Sequence, residues 1–431
     1  MSNLRDQLIS AVTAQEFCSD NLLSLNEWQL KKNPEGSKVA GALGFKDSNS
    51  FLVGHNHELL LENFSEITPI YVEGEKNPIC TAKELIDGDK IAVSIVGGVI
   101  EKTWLISLNL LASGISVFDH QQKWRIHNKW LMFLEKIENF FTIQKFYQAK
   151  TPNLVVCPGL EPTLDPFSVS LKMNNIESKL FLPTSPELHL KKIISQGVSE
   201  IFEITPCFRN DEAGKHHQPE FTMLEWYRSY KGVAALIKDI KKLIQFIIPN
   251  EEQPEYRIVT VKELFKKYYN FDLSPKTTQT ELYNLANNNG LSVSVNDTFD
   301  DIYFLLFVDK IENNLGQGGV DFLFNYPPSQ AALAKINKEG WADRFEMYWQ
   351  GYEIANAFNE LVCPEKQNNR FIEEQKNRDH LGKEFIPIDK EFIESLNYGL
   401  PPTAGIAMGL ERLFMACYGL KDIKSIKQFP Y

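Results

Sequence analysis

Alternating hydrophobic and polar residues characterise the first 118 positions of the chain, and this period of two is typical of β-strands with one buried face. The strands predicted from it span residues 38–45, 51–54, 67–72, 90–96 and 102–108. Turn residues separate them, including Asp87-Gly88-Asp89 and the pair Gly97-Gly98. The pattern predicts a small β-rich domain over residues 1–118, for which an OB-like barrel is one candidate.

A long amphipathic helix is predicted next, because apolar residues then recur every three or four positions. They are Ile126, Trp130, Phe133, Leu134, Ile137, Phe140 and Phe141. Such a stripe either packs into the core of its own chain or forms an interface between subunits. Pro152 interrupts the helical pattern, and the residues 154–156 that follow it are typical of a strand. Further along the chain, residues 284–301 are rich in asparagine, which predicts a surface connection.

The composition is that of a globular protein of two or three domains. The 431 residues are 43% hydrophobic and 23% charged, which excludes collagen, coiled-coil and disordered classes. The six cysteines have no metal-ligand spacing, which favours reduced thiols. Neither a secretory leader nor a membrane-spanning apolar run is visible, so we expect a cytoplasmic protein with no membrane partner.

Net charge argues against bulk binding to nucleic acid, since the formal net charge of the chain is −11. Residues 1–118 contain nine basic and fifteen acidic side chains and therefore contribute −6 of that charge. An RNA-binding barrel would be expected to carry a basic surface.

A helix start is predicted at Thr184-Ser185-Pro186-Glu187, which combines a hydroxyl cap, a proline and an acid in the first turn, with Gly197 ending the helix. Glu187 can interact with the helix dipole or bind an ammonium group of a ligand. These residues alone leave both interpretations open.

Residues 208–227 contain side chains that suit an anionic ligand. The planar guanidinium of Arg209 suits a phosphate oxygen together with a carbonyl oxygen. Phe221 offers a ring on which a purine base can stack. His216 and His217 are adjacent but have no third residue at metal-ligand spacing, so we expect them to face phosphates.

Residues 345–360 predict a hairpin whose turn is Gln350-Gly351. In that register Tyr348 faces Glu353, and Glu346 lies diagonally across on the same face. Two carboxylates on one face suit a hard cation such as Mg²⁺ shared with nucleotide phosphates, although an exposed acidic strand face is the simpler alternative. Strict alternation would place Glu360 on the opposite face, so a role for it requires a bend or bulge.

Residues 405–413 predict a strand that passes through Gly409 into a helix ended by Gly419. Glycine allows the backbone to approach a ligand closely. In this order along the chain, residues 208–227 and 405–413 resemble motifs 2 and 3 of the class II aminoacyl-tRNA synthetases. The apolar stripe with Pro152 resembles motif 1, the dimer element of that family, which favours the interface interpretation of the stripe.

From about residue 119 onward the chain resembles the lysyl-tRNA synthetase catalytic domain, and more specifically the elongation factor P–(R)-β-lysine ligases. The run 326–334, the short segment before the hairpin, and Ala407 in place of a synthetase glycine carry this resemblance. It implies an α+β fold, with an antiparallel sheet flanked by helices over residues 119–431, an insertion at about 231–320, and a homodimer.

The resemblance also implies a site that uses ATP and Mg²⁺, with Arg209 and Arg412 as catalytic residues and Glu346 and Glu353 as metal ligands. Glu360 would be the counter-ion of a lysine ammonium group, and Ala407 would distinguish α- from β-lysine. The implied amino-acid pocket comprises Ser185, Pro186, Glu187, Tyr227, Asn356, Phe358, Glu360 and Ala407. The implied ATP-binding set comprises Arg209, Asn210, Asp211, Gln218, Phe221, Glu353, Ile354, Gly409 and Arg412.

The implied function is activation of (R)-β-lysine or lysine by ATP and its transfer to a lysine side chain of elongation factor P. A lysyl-tRNA synthetase is the first alternative, and the acidic N-terminal segment makes tRNA the less favoured partner. A non-catalytic paralogue is the second, and it would be expected to have lost Arg209, Glu353 or Arg412. Two features depart from the family: the 118 N-terminal residues, and Val362-Cys363-Pro364 in place of a more polar run.

Overall fold

The computed structural model describes residues 7–8, 22–31, 38–46, 49–54, 57–72, 76–96, 99–107, 117–249, 251–331 and 333–430. The chain divides into two units, residues 1–130 and 131–431. The division falls inside the helix Val117–Ile143. The domain boundary expected at residue 118 stays a prediction.

The first unit is built on one mainly antiparallel sheet. Its described strands are β1 Leu22–Ser24, β2 Lys38–Lys46, β3 Asn49–Val53, β4 Glu58–Leu60, β5 Pro69–Tyr71, β6 Cys80–Thr81, β7 Lys90–Val96 and β8 Val99–Ser107. A short helix, α1 (Leu25–Leu30), follows β1. The strand order is β4-β3-β2-β7-β8-β5-β6, and β1 pairs with β2.

The alternation of hydrophobic and polar residues explains how this sheet buries one face. Its hydrophobic positions share one buried cluster, which includes Val39, Leu43, Ile91, Val93 and Leu105. Each strand predicted for this unit is present, with its ends shifted by up to three residues, and among the described strands only the short β1, β4 and β6 were not predicted. The predicted Gly97-Gly98 turn lies outside the described residues. The pairings of the described strands form an open path, so barrel closure stays a prediction.

The second unit contains an eight-stranded mixed sheet between helices, which confirms the α+β class. Its strands are β9 Tyr147–Gln148, β10 Ser168–Met173, β11 Ile176–Phe181, β12 Glu200–Phe208, β13 Glu220–Ser229, β14 Tyr256–Thr260, β15 Val320–Tyr326, β16 Ala342–Trp349, β17 Tyr352–Asn359 and β18 Thr403–Gly409. The order is β14-β15-β16-β17-β18-β13-β12-β9, with β10 and β11 as a separate hairpin. Only the two outermost pairs are parallel.

The long helix α2 spans Val117–Ile143. The remaining described helices are α3 Glu187–Ser195, α4 Val233–Ile247, α5 Val261–Tyr269, α6 Gln279–Asn288, α7 Phe299–Lys310, α8 Pro364–His380, α9 Lys390–Gly399 and α10 Leu410–Tyr418. Over the part of the chain that the structure describes, no helix combines the length and apolar character required to cross a bilayer.

The apolar stripe of α2 lies in the core of its own chain. Phe133 contacts Phe414 edge-on at 5.1 Å between ring centroids. Phe141 stacks on Phe202 at 4.9 Å and lies 5.3 Å from Trp226. The interface interpretation of this stripe is therefore wrong for these residues, because their side chains are already buried against the central sheet. The homodimer itself stays a prediction.

Two local predictions also need correction. Residues 154–156 do not form a strand, since only Val155 makes an isolated bridge, with Phe181. The asparagine-rich stretch 284–301 was expected to be a surface connection, but its two ends belong to α6 and α7. Ala286 is fully buried in the cluster that packs α5, α6 and α7 against β15. Tertiary packing therefore overrode the weak helix propensity of asparagine.

Candidate active site

One face of the central sheet forms the floor of a cavity of about 420 Å³. Ala407 on β18 lies directly between Glu225 on β13 and Asn356 on β17. Side chains directly opposite each other in neighbouring strands project from the same face. The three strands therefore bring residues from distant parts of the chain onto a single surface.

Most residues predicted for the site line this cavity. They are Ser185, Glu187, Arg209, Gln218, Phe221, Glu353, Ile354, Asn356, Phe358, Ala407, Gly409 and Arg412. His216 and His217 line it too, whereas Pro186, Asn210, Asp211, Tyr227, Glu346 and Glu360 do not. Tyr227 and Glu360 are buried beside it, and Asn210 and Asp211 are exposed in the loop after β12.

The predicted helix start is displaced by one residue. Pro186 occupies the N-cap position of α3, not the first helical position, and has no side chain that could cap the helix. Ser185 supplies the capping hydroxyl instead, accepting from the Glu187 N–H at 3.0 Å. This turn directs the carboxylate of Glu187 into the cavity.

The hairpin of β16 and β17 has the predicted two-residue turn, with positive φ at both Gln350 (53°) and Gly351 (80°). Tyr348 pairs with Glu353 as predicted, but Met347 pairs with Ala355. Ile354 is therefore an extra residue in β17. Such a bulge reverses the alternation beyond it, which brings Asn356 and Phe358 onto the same face as Glu353.

Glu360 reaches the site because of this bulge. It lies one residue beyond β17, and its backbone N–H donates to Thr403 at 2.9 Å. Gly405 on β18 leaves space for it, since a Cβ at that position would overlap both Tyr227 and the Glu360 carboxylate. The bend that the sequence analysis required for Glu360 is thus present.

Lys191 on α3 is a buried cation that the sequence analysis missed. Its Nζ lies 2.5 Å from Glu187 Oε1 and 2.5 Å from Glu360 Oε2, and its side chain is 1% exposed. Burial would lower the pKa of Lys191, but the charges of Glu187 and Glu360 raise it above its usual value. The one signal in the sequence was that Lys191 lies four residues after Glu187, a spacing at which opposite charges meet on a helix.

Glu225 on β13 is a second residue missed by the sequence analysis. Its carboxylate accepts from Ser185 Oγ at 2.5 Å and from Tyr227 Oη at 2.9 Å. Burial, and then the charge of Glu187, raises the pKa of Glu225 to about 8. Alternation along β13 could have revealed it, because Glu225 is two residues from the predicted Tyr227.

The buried charges here are unbalanced. Glu187, Glu225 and Glu360 share one internal cation, Lys191. Burial also raises the pKa of Glu360 to about 8. Because a buried carboxylate without a counter-charge is costly, this part of the site suits a positively charged ligand group.

The other end of the cavity is basic. The Arg209 guanidinium lies 5.1 Å from the centre of the Phe221 ring, and its buried Nε has no hydrogen-bond partner. Arg412 donates to the Glu353 backbone oxygen at 2.8 Å and also contacts the His217 ring. Burial, followed by the charge of Arg412, lowers the pKa of His217 to about 4, so this ring is neutral near pH 7.

Glu346 and Glu353 lie on one face of the hairpin but in different surroundings. Glu346 accepts from Tyr348 Oη at 2.8 Å, from Arg344 and from Tyr326. Burial, and then the charge of Glu346, raises the pKa of Glu353 to about 7. Within the described ranges, no cluster of three or more His, Cys, Asp or Glu side chains has the arrangement of a metal site.

A mainly antiparallel sheet that carries Arg209 after β12 and Arg412 on the helix after β18 is the arrangement expected of a class II synthetase catalytic domain. Residues 120–431 match the family of class II tRNA synthetases (D, K and N), and the chain belongs to this family.

Several relatives carry the name elongation factor P–(R)-β-lysine ligase. The protein from Histophilus somni (strain 2336) is 36% identical over 300 residues, which are 68% of this chain and 91% of that protein. The protein from Pseudoalteromonas translucida is 35% identical over 331 residues, 75% of this chain and 98% of the relative. The protein from Avibacterium paragallinarum is 34% identical over 302 residues, 69% of this chain and 92% of that protein.

Proposed function

We propose that the protein is an ATP-dependent ligase that activates (R)-β-lysine or lysine and transfers it to a lysine side chain of elongation factor P. The observation that carries this proposal is the arrangement of charge in one cavity. Glu187, Glu225 and Glu360 gather where an ammonium group would bind, and Arg209 and Arg412 lie where phosphates would bind. Elongation factor P is proposed as the acceptor because the relatives are named as its ligases.

The proposed reaction has two steps. A carboxylate oxygen of the amino acid attacks the α-phosphorus of ATP, and pyrophosphate leaves to give an aminoacyl-adenylate. The amine of the acceptor lysine then attacks the carbonyl carbon, AMP leaves with the bond electrons, and the amine loses a proton. No side chain acts as a nucleophile, so catalysis comes from positioning and from stabilisation of negative charge.

The amino-acid pocket would hold its substrate by charge and by shape. Glu225 and Glu360 would receive the ammonium group far from the reacting carboxylate, with Tyr227 orienting Glu225 through its hydroxyl. Asn356 has a buried Oδ1 without a hydrogen-bond partner, which suits a substrate N–H. Ala407 lies between Glu225 and Asn356, so its methyl group would limit where the amino group can lie. Ser185 and Phe358 would complete the walls, and Pro186 would act only by starting α3.

The nucleotide would bind at the basic end. Phe221 would stack against the adenine base, and Arg209 and Arg412 would bind phosphate oxygens. Gln218, Ile354 and Gly409 line the same region. Asn210 and Asp211 are exposed in the loop between β12 and β13, so we propose that they contact the nucleotide from outside the cavity.

The carboxylates fit a divalent cation in part. Glu353 has a raised pKa, because burial and the charge of Glu346 outweigh the opposite effect of Arg412, which lies 3.9 Å from its carboxylate. The Glu346 carboxylate can accept about four hydrogen bonds and already accepts three, so one lone pair remains available. We propose that Glu353 and Glu346 hold Mg²⁺, which would neutralise charge on the phosphates of bound ATP. Both residues would also need phosphate oxygens to complete the coordination.

The localisation, the oligomeric state and the choice of acceptor remain proposals. A reaction that uses ATP and a translation factor would take place in the cytoplasm, and the family resemblance implies a homodimer. The acidic N-terminal residues make a protein acceptor the better candidate than tRNA, because a polyanion would be repelled by a net charge of −6.

The test supplies purified protein with ATP, either lysine or (R)-β-lysine, and either elongation factor P or tRNA. Mass spectrometry should show elongation factor P gaining the mass of one lysyl or β-lysyl group, and tRNA should remain uncharged. Efficient charging of tRNA with no mass gain on the factor would instead support a lysyl-tRNA synthetase. No pyrophosphate exchange with either amino acid would contradict both activities.

A further inference from the structure

Glu411 is a buried carboxylate in the first turn of α10, and it lines the active-site cavity although no step of the proposed reaction uses it. The residue is only 3% exposed. Both of its carboxylate oxygens accept from the Thr222 N–H at 2.9 Å, and Oε1 also accepts from Thr222 Oγ1 at 3.0 Å. Thr222 does not itself line the cavity, so this carboxylate binds the backbone behind the cavity surface.

The contact takes the place of a strand that ends one residue too early. β18 pairs with β13 as far as Gly409, which lies opposite Met223, and the chain then turns into α10. In this pairing Thr222, the neighbour of Met223 in β13, lies beyond the last residue of β18. Glu411 supplies the acceptor that a longer β18 would have supplied, and an N–H left without one would cost free energy. A carboxylate is also favourable in the first turn of a helix because of the helix dipole.

Each end of this contact is adjacent in sequence to a residue that we assign to ATP. Phe221 precedes Thr222, Arg412 follows Glu411, and both of these neighbours line the cavity. The pairing of β13 with β18 fixes the two chains relative to each other only up to its last pair, which both neighbours lie beyond. The contact between Glu411 and Thr222 therefore sets the distance between the Phe221 ring and the Arg412 guanidinium.

A second contact holds the other side of Phe221. Lys427, on the segment after α10, donates to the backbone oxygen of Glu220. Phe221 thus lies between two residues whose backbone groups are bound by segments that follow β18. In the sheet it pairs with Cys207 of β12, which is fully buried. These contacts limit the movement of the ring before a ligand binds, which is the condition for a preorganised site.

We propose that Glu411 is a positioning residue for ATP. By binding the backbone of Thr222, it sets the distance between Phe221, which would stack on the adenine base, and Arg412, which would bind the phosphates. This assignment rests on the proposed function and deepens it, because it names a residue that prepares the nucleotide end of the cavity without touching the nucleotide. ATP would make both contacts and depend on their spacing, whereas the amino acid would bind at the acidic end and make neither.

The test measures the dissociation constants of ATP, lysine and (R)-β-lysine by titration calorimetry, which requires no turnover. Glu411→Ala should weaken ATP binding about 10- to 100-fold, as expected for the loss of hydrogen bonds to a charged group. Binding of either amino acid should change less than about twofold. Glu411→Gln keeps one oxygen acceptor for the Thr222 N–H and should weaken ATP binding by only about three- to tenfold. It carries the same test if Glu411→Ala does not fold.

Purine riboside triphosphate, which lacks only the 6-amino group of ATP, separates positioning from direct contact. If Glu411 acts through Thr222, each variant should weaken binding of this analogue by the same factor as binding of ATP. Weakened binding of ATP alone would overturn the proposal and indicate that Glu411 binds the 6-amino group of the base.

Glu203→Ala and Glu203→Gln are the matched controls. Glu203 is a 2% exposed carboxylate on β12 that accepts from the Thr151 N–H at 2.7 Å, and it does not line the cavity. Both controls should bind ATP within about twofold of the wild type.

Unchanged ATP binding in both Glu411 variants would overturn the proposal, as would equal losses for ATP and the amino acids or equal losses in the Glu203 variants. Absence of ATP–pyrophosphate exchange by the wild type with both amino acids would instead contradict the proposed function. The calorimetric comparison would still decide the role of Glu411 in that case.

Discussion

Lys191 and Glu360 form a buried ion pair, with Nζ 2.5 Å from Oε2 and both side chains 1% exposed. The same ammonium group lies 2.5 Å from Glu187 Oε1. One cation therefore joins the first turn of α3 to the residue that follows β17. Two carboxylates assigned to a substrate are held in position by an internal charge before any substrate binds.

Lys191→Met should destabilise the protein by about 3–5 kcal/mol near pH 8, because it leaves the buried Glu360 and the half-buried Glu187 without their cation. The pKa of Lys191 is raised in the folded state, so its stabilising contribution is complete at every pH below its unfolded value of 10.5. In the variant, Glu360, whose pKa is already raised by burial, can take up a proton as the pH falls. The loss should therefore be smaller at pH 5.5 than at pH 8, measured by denaturant unfolding.

Lys192→Met is the control for this prediction. Lys192 is adjacent on α3 and pairs with Asp389 at 2.7 Å, but its side chain is 16% exposed and does not reach the cavity. A smaller loss than for Lys191→Met is expected, because the Lys192 side chain keeps contact with water and its second partner, Glu391, is 86% exposed. Equal losses in the two variants would contradict the assignment of Lys191 as the central cation.

Binding of lysine should release protons near pH 7.5. Burial raises the pKa values of Glu225 and Glu360 to about 8, so both are partly protonated in the free protein at this pH. An ammonium ligand favours the ionised carboxylates and lowers these pKa values. Titration calorimetry in buffers of different ionisation enthalpy should show net proton release, decreasing toward pH 9. The same binding enthalpy in all buffers would be inconsistent with this charge balance.

Arg209→Ala should abolish ATP–pyrophosphate exchange, with a loss of at least about 100-fold, while the protein remains folded. Arg209 lines the cavity and its Nε has no partner within the protein, so its removal breaks no internal hydrogen bond of that atom. Arg257→Ala is a suitable control, because that arginine pairs with Asp321 away from the cavity. Near-normal exchange by Arg209→Ala would exclude the motif 2 assignment.

Ala407→Gly should improve the use of lysine relative to (R)-β-lysine by about 10-fold or more. One methyl group in a pocket changes discrimination by about 1–3 kcal/mol, and Ala407 lies between Glu225 and Asn356 on the cavity floor. The measured quantity is the ratio of kcat/KM values for the two amino acids. Ala404→Gly, three residues earlier and on the opposite face of β18, should leave that ratio unchanged. If both variants behave alike, Ala407 does not control selectivity.

Features that depend on neighbouring residues could be predicted from the sequence. The β16–β17 turn followed from Gly351 between two aromatic-rich runs, because glycine readily accepts the positive φ that a two-residue turn requires. The motif order, with Arg209 before Glu353 and Arg412, identified the family because each motif combines several residue types at short spacing. The strands of residues 1–118 followed from a period of two.

Features that depend on distant residues were missed or misjudged. Ile354 is inserted as a bulge in β17, and this brings Glu360 to the face of Glu353. No local pattern encodes it, because the register of a strand is set by pairing with its neighbours. The stripe of α2 was misjudged for a similar reason. An apolar helix face indicates that some other surface packs against it, but the sequence does not show which one. In the structure, Phe202 and Phe414 of the same chain pack against this face.

By itself, the sequence determined the fold class, the order of the motifs and about half of the residues that line the cavity, since these follow from residue type and short spacing. Only the tertiary structure decided that Lys191 pairs with Glu187 and Glu360, that Glu225 completes the acidic cluster, and that Glu411 binds the backbone of Thr222. The physical reason is that the pKa and the binding partners of a charged side chain depend on how deeply it is buried and on which opposite charge lies closest to it. Both depend on residues far apart along the chain.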